Sequence, residues 1–262
     1  MPSKQSNQLN HLRVLNTRPL EQNQPLSKAI QDAGGISIEL PAIVIEPLIS
    51  WQALMPALSS VDQAIFTSAN AVNHYFSALE QQKITWPNHI NVTAIGNASA
   101  SALCTRHIRA AHVPNESDSE HLIQLPILQQ VHNQTILLVK GEGGRPVIAD
   151  TMLARGAHLI ALNVYRRITP QYSTNMLRKL WQNDAVDIIL FTSQQAMQNL
   201  YDLFSSAGGY PWLCSKPCIV ISKRLAEIAA SLGIRTILLS HYGNIIDSLY
   251  EYKQGIMHGD QQ

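Results

Sequence analysis

Residues 63–72 read QAIFTSANAV, and residues 187–197 read DIILFTSQQAM. Each is a short apolar run that ends in Phe-Thr-Ser and passes at once into a segment with helical spacing. Runs this short and this apolar suit strands buried on both faces, as parallel strands are beneath covering helices. A serine at the junction is a favoured helix N-cap, because its Oγ accepts a backbone N–H of the first turn. The two stretches therefore read as one strand–turn–helix unit met twice, with Phe66 and Phe191 standing 125 residues apart.

Other pairs keep nearly the same offset. Ile95-Gly96 lines up with Ile221-Ser222 and Arg109 with Arg235, both 126 apart, while Val14-Leu15 matches Leu137-Leu138 at 123. The strands expected are 12–16, 63–66, 91–95, 109–113, 135–139, 187–191, 218–221 and 235–239. A nearly constant offset over four units implies an internal duplication. Strand–helix alternation implies a doubly wound arrangement. The fold class expected is α/β: two similar doubly wound parallel-sheet lobes, with a ligand in the cleft between them. Two stretches break the rhythm, 36–49 (ISIELPAIVIEPLI, interrupted by Pro41 and Pro47) and 158–168 (HLIALNVYRRI). Proline restricts a strand to an edge or a break, so these read as crossing connections that form a two-stranded β hinge.

Composition narrows the function classes. With 262 residues, 45% hydrophobic and 14% charged, the chain can bury a sizeable core and is not of disordered type. Nineteen Lys and Arg against eighteen Asp and Glu leave a net charge of +1, so no overall field attracts nucleic acid or an anionic membrane. No apolar run approaches the roughly 18 residues of a membrane span, and the opening MPSKQSNQLNHLR has no apolar core of a signal peptide. Three cysteines, Cys104, Cys214 and Cys218, make no disulfide framework, which places the protein in the cytoplasm. The ten histidines show no HxH or HxxxH spacing, so no metal is expected. The turn Lys140-Gly141-Glu142-Gly143-Gly144-Arg145 has neither the GK[ST] ending of a phosphate loop nor GxGxxG spacing, which argues against phosphoryl transfer.

Six motifs, taken in order, resemble the uroporphyrinogen-III synthase family. They are Leu15-Asn16-Thr17-Arg18-Pro19, Phe66-Thr67-Ser68-Ala69-Asn70-Ala71-Val72, Ala94-Ile95-Gly96-Asn97-Ala98-Ser99, Lys140–Arg145, Val164-Tyr165-Arg166-Arg167 and Phe191-Thr192-Ser193. The resemblance covers 12 to about 250. It implies a first lobe made of 1–36 and 168–262, a second of 42–162, and hinge strands near 36–49 and 158–168. It also implies a lyase that closes hydroxymethylbilane, a linear tetrapyrrole with eight carboxylates, to uroporphyrinogen III. Water is lost, and the terminal ring inverts through a spiro intermediate. No cofactor, nucleic acid or membrane is implied. The expected state is a monomer receiving its substrate by transient handover from hydroxymethylbilane synthase.

Such a substrate needs anion sites. Backbone N–H groups at helix N-termini supply them, since the first turn has donors without internal partners and the dipole is positive there. The substrate-binding residues expected are Thr17, Arg18, Ser68, Asn97, Ser99, Lys140, Gly141, Gly143, Gly144, Arg145, Arg167, Ser193, Ser222 and Lys223. Ser68 and Ser193, and with them Asn97 and Ser99, read first as plain caps, which does not exclude a substrate contact. The Lys140–Arg145 segment reads as a tight turn or a carboxylate cradle, and Arg18 beside Pro19 as an ordinary turn residue or a ligand. The resemblance assigns Tyr165 the role of acid toward the departing hydroxyl, a phenol being able to donate at neutral pH. The other reading is a strand aromatic packed in the hinge. Arg166 and Arg167 alternate faces on a strand, which puts Arg167 on the Tyr165 side. The family often has threonine where this chain has Leu225. The alternative function is therefore a catalytically inactive synthase-like module for ligand binding or regulation.

Overall fold

The computed structural model describes residues 8–240 and 244–255. In chain order the elements are β1 (Arg13–Asn16), α1 (Leu20–Asp32), β2 (Ile36–Glu39), β3 (Val44–Pro47), β4 (Gln63–Phe66), α2 (Ala69–Gln81), β5 (Asn91–Ala94), α3 (Asn97–Cys104) and α4 (Ser119–Ile123). There follow β6 (Thr135–Gly141), α5 (Val147–Ala154), β7 (His158–Ile168), α6 (Thr174–Gln182), β8 (Ile188–Phe191), α7 (Gln194–Ser206), α8 (Tyr210–Ser215), β9 (Cys218–Val220), α9 (Lys223–Ser231), β10 (Ile237–Leu239) and α10 (Ile245–Lys253). The chain divides into two compact units. One comprises Met1–Val44 with Ile168–Gln262, and the other Ile45–Arg167.

Each unit is built on one five-stranded sheet, in the order β10-β9-β8-β1-β2 in the first and β3-β7-β6-β4-β5 in the second. All the pairings β1–β2, β1–β8, β8–β9, β9–β10, β4–β5, β4–β6 and β6–β7 are parallel. The duplication is visible in the topology: β9-β8-β1-β2 in one sheet has the order of β5-β4-β6-β7 in the other. Register agrees as well, since Arg13 faces Ile36 where β1–β2 opens, and Thr135 faces His158 where β6–β7 opens. The first unit is a permuted copy of the second, its β1 and β2 coming from the N-terminal segment.

The central strands β4 and β8 are buried at every residue, which is why their sequences lack alternation. In the first unit Val14, Ile188, Leu190, Ile219 and Leu238 pack with Leu26 and Ile30 of α1 and Leu249 of α10. In the second, Ile65, Ile136 and Leu138 pack with Leu122 of α4 and with Ile148 and Met152 of α5. On the opposite face of that sheet Phe66 meets Tyr75 and Phe76 of α2, at ring separations of 5.8 and 5.6 Å. Asp187 joins the two distant pieces of the first unit. It accepts the backbone N–H of Arg13 at 2.8 Å, and its other oxygen takes the Arg13 guanidinium at 2.5 Å. Among the described residues no helix is long and apolar enough to cross a membrane.

One expected strand is absent. Residues 109–113 do not form a strand; they make only an isolated parallel bridge, Thr93 to His112. They lie where β10 lies in the other unit, but none of the five is buried, whereas β10 buries Leu238. Two alanines and a histidine supply too little apolar surface to hold an edge strand. Residues 36–49, read as interrupted at Pro41 and Pro47, form two short strands. The segment breaks at 40–43, with β2 in the first sheet and β3 beside β7 in the second. Pro41 has no N–H to continue a ladder, while Leu40 and Ala42 donate theirs to the carbonyls of Asn16 and Thr17.

Candidate active site

Parallel strands bring their C-terminal ends to one edge of the sheet, and the turns that follow carry most of the residues singled out above. In the second unit these turns hold Ser68 after β4, Gly96 after β5 and Gly141–Arg145 after β6, with Tyr165 and Arg167 near the end of β7. Register shifts between β6 and β7, so that Lys140 faces Asn163 and Gly141 faces Tyr165. A bulge of this kind re-aims a side chain, and here Val164 and Tyr165 are buried in succession.

Tyr165 is only 1% exposed. Its hydroxyl lies 3.0 Å from Oγ of Ser68 and accepts a hydrogen bond from Nη2 of Arg167, also at 3.0 Å. The guanidinium carbon stands 5.4 Å from the ring centroid. The ring rests on Gly141, where a Cβ would come within 2.5 Å of Cζ. Close approach, not backbone conformation, requires glycine at that point. The Glu142 N–H donates to the Tyr165 carbonyl at 2.7 Å and fixes the strand beneath the ring. Arg166 points to the other face and pairs with Glu46.

Ser68 serves two partners, because its Oγ also accepts the Ala71 N–H at 3.0 Å as N-cap of α2. Ser193 and Ser222 make the same bond at the starts of α7 and α9, to Ala196 at 3.1 Å and Leu225 at 3.3 Å. Lys223 follows Ser222 and is exposed. Leu225 is buried, so no hydroxyl stands at that position. Asn97 is exposed at the first residue of α3, but Ser99 is turned inward and 2% exposed. Gly96 caps α3 without a side chain, and Ser117 Oγ fills the place its Cβ would take.

Lys140 is half-buried at the end of β6. Gly143 and Gly144 adopt φ of +75° and +80°, the left-handed region that side chains avoid, and this turns the loop over before Arg145. Arg145 is exposed, and it meets Glu120 of α4 with both terminal guanidinium nitrogens, Nη2 at 2.9 Å from Oε2. The hydrogen bond from Arg145 holds the Glu120 carboxyl below the usual carboxylate range. In the first unit Thr17 is fully buried and donates its hydroxyl to the Leu190 carbonyl at 2.7 Å. That side chain is committed to joining β1 with β8. The N–H of half-buried Arg18 lies 3.4 Å from Oδ1 of Asn16.

The structure thus gathers Ser68, Gly141, Tyr165 and Arg167 into one cluster and places Gly143, Gly144 and Arg145 in the adjoining turn. It withdraws the side chains of Thr17 and Ser99. Three neighbours escaped the sequence reading: His74, whose ring lies 5.8 Å from that of Tyr165, Ser117 and Glu120. Asp118 announces the start of α4 as its N-cap, but nothing in the sequence says that the helix delivers Glu120 to the glycine turn. Glu116, Asp118 and His121 offer ligand atoms that could hold a cation, yet His121 Nδ1 already lies 2.8 Å from the capping Asp118.

Comparison with known proteins bears on the family. The family model described as uroporphyrinogen-III synthase HemD matches residues 24–244. The uroporphyrinogen-III synthase of Escherichia coli (strain K12) is 32% identical over 224 residues, 84% of this chain and 91% of that protein. That of Synechococcus elongatus is 28% identical over 229 residues, 85% of this chain and 83% of its own. Two solved structures share the fold. A mutant uroporphyrinogen III synthase from the extremely thermophilic bacterium Thermus thermophilus has a TM-score of 0.65 at 16% identity, covering 94% of this chain and 98% of that one. The enzyme from Helicobacter pylori 26695 has 0.59 at 16%, covering 94% and 100%. With its strand order, its glycine turn and this match over most of its length, the chain belongs to the uroporphyrinogen-III synthase family.

Proposed function

We propose that this protein is a cofactor-independent lyase that converts hydroxymethylbilane to uroporphyrinogen III, working as a cytoplasmic monomer that takes its substrate from hydroxymethylbilane synthase. The observation that carries the reading is the Tyr165 hydroxyl, held between Ser68 and Arg167 beside the Gly141–Arg145 turn.

The pyrrole nitrogen supplies the electron pair that breaks the terminal C–O bond. The oxygen takes a proton and leaves as water, and Tyr165 is the group assigned to give that proton. The substituted carbon of the last ring then attacks to give a spiro intermediate, whose bond to the old bridge carbon breaks. The free α-carbon of the inverted ring closes on that bridge carbon and gives up its proton, which restores the hydroxyl of Tyr165. Unassisted closure gives isomer I, so the protein's task is largely to hold the chain folded for the less direct attack. Orientation of this kind can lower a barrier by several kcal/mol. Arg167, Arg145, Arg18, Lys140 and Lys223 supply positive charge for the carboxylates. The backbone N–H groups of Gly143 and Gly144 and of the helix starts after Ser68, Gly96, Ser193 and Ser222 supply donors. The side chains of Thr17 and Ser99 take no part in this account, and Leu225 contributes packing only.

The decisive experiment generates hydroxymethylbilane in situ, adds the purified protein, oxidises the product and separates porphyrin isomers. Isomer III in excess supports the synthase. Isomer I alone, at the protein-free rate, moves the reading to an inactive ligand-binding or regulatory module, which Leu225 would then explain.

A further inference from the structure

Tyr165 is buried, yet the group that covers its hydroxyl is exposed. Arg167 is solvent-exposed at the end of β7, the last residue of its unit before the chain crosses into the other. Its guanidinium lies over the Tyr165 ring and donates to the phenolic oxygen. A phenol oxygen that accepts from Arg167 still has its own proton to donate, and Ser68 Oγ is the acceptor within reach at 3.0 Å. In this arrangement the proton points inward, toward the cap of α2. Ser68 can reverse the bond. Its Oγ goes on accepting the Ala71 N–H while its own hydrogen turns to Tyr165, since a hydroxyl is one donor and two acceptor sites.

Resting on the assignment of Tyr165 as the acid, we infer that Arg167 is a displaceable cover: a substrate carboxylate draws the guanidinium off the Tyr165 hydroxyl, and Ser68 then turns its proton to the phenol oxygen so that the Tyr165 O–H points outward. The exchange is of like for better, because a guanidinium binds a carboxylate through two charge-assisted bonds and a neutral phenol through one. Recognition of the polyanion and presentation of the acid become a single event. Arg167 is on this view a positioning residue, one that bare water does not displace and a carboxylate does.

Two readouts that need no turnover test it. Nitration by tetranitromethane, followed by peptide mass spectrometry, reports the access of reagent to Tyr165 in the ligand-free protein. Fluorescence titration with uroporphyrin III, a stable octacarboxylate, reports carboxylate binding. Arg167→Ala is expected to nitrate at Tyr165 about tenfold faster than the parent and to bind uroporphyrin about tenfold more weakly. Arg167→Lys, which keeps the charge and loses the fork, is expected to fall between on both. Nitration of Arg167→Ala no faster than the parent, or unchanged uroporphyrin affinity, overturns the cover. In the isomer assay Arg167→Ala should raise KM about tenfold with kcat within about threefold. A lower kcat at unchanged KM would mean that Arg167 stays on Tyr165 throughout, and would overturn the exchange. A parent protein that makes no isomer III removes the functional reading alone, since the first two readouts still decide the cover.

Discussion

Gly141 and Tyr165 face each other across β6 and β7, and the aromatic ring occupies the space where any other residue at 141 would carry its Cβ. The register shift at Lys140 and Gly141 brings the two together, so backbone geometry and ring position are set by one feature. The glycine segment that reads from sequence as a tight turn or a carboxylate cradle is thus also the mount for the candidate acid.

Gly141→Ala is the direct probe of that mount. A methyl 2.5 Å from Cζ forces the ring or the strand to move. The expected result is a loss of about 1–3 kcal/mol in stability, as for overpacking in a filled core, together with a fall in kcat. Denaturant unfolding and the isomer assay measure both. A variant with parent stability and parent kcat would show that the ring's seat is immaterial.

Asp187 should make the first unit acid-sensitive. Burial alone would raise its carboxyl, but the hydrogen bonds from Arg13 prevail and hold it below the usual range. Its contribution is therefore complete above the unfolded carboxylate value near 4 and is lost as pH falls below that value through the lowered folded one. Asp187→Asn is expected to cost about 1–2 kcal/mol at pH 7, in line with hydrogen bonds to a charged group. The deficit relative to the parent should shrink toward pH 3. A deficit that stays constant over that range would exclude the charge as its source.

The capping serines can be separated from substrate ligands by their stability cost. Ser193→Ala and Ser222→Ala each remove the acceptor of a helix-start N–H and are expected to lose about 1 kcal/mol. The losses should add, since the two serines cap different helices. If either serine also holds a carboxylate, its variant will raise KM in addition; thermal unfolding and kinetics on the same samples distinguish the two effects.

The cysteines should react in a fixed order. Cys104 is exposed, while Cys218 is buried in β9 and its thiol is pushed up to about 12 by burial. A disulfide reagent at pH 8 is expected to label Cys104 within the folded protein and Cys218 only on unfolding. Rapid labelling of Cys218 under native conditions would contradict the placement of β9 inside its sheet.

The sequence by itself determined the strand–helix units, because a run such as IILF can lie only where both faces are covered, and a serine after it can serve as a cap. It also determined the duplication, since Phe66 and Phe191 end equivalent interior strands of the two sheets. Motif order carried the family. Tertiary structure decided what local pattern does not contain. Whether 109–113 pairs depends on how much side-chain surface an edge can bury, and His112 makes one bridge where β10 makes a ladder. Thr17 and Ser68 both follow a strand, yet one hydroxyl is spent on Leu190 and the other reaches Tyr165, 97 positions away. Arg145 finds Glu120, and Arg167 finds the phenol rather than open solvent. Side-chain partners are chosen by which turns meet at a sheet edge, a property of strand order and register that no single stretch of the chain encodes.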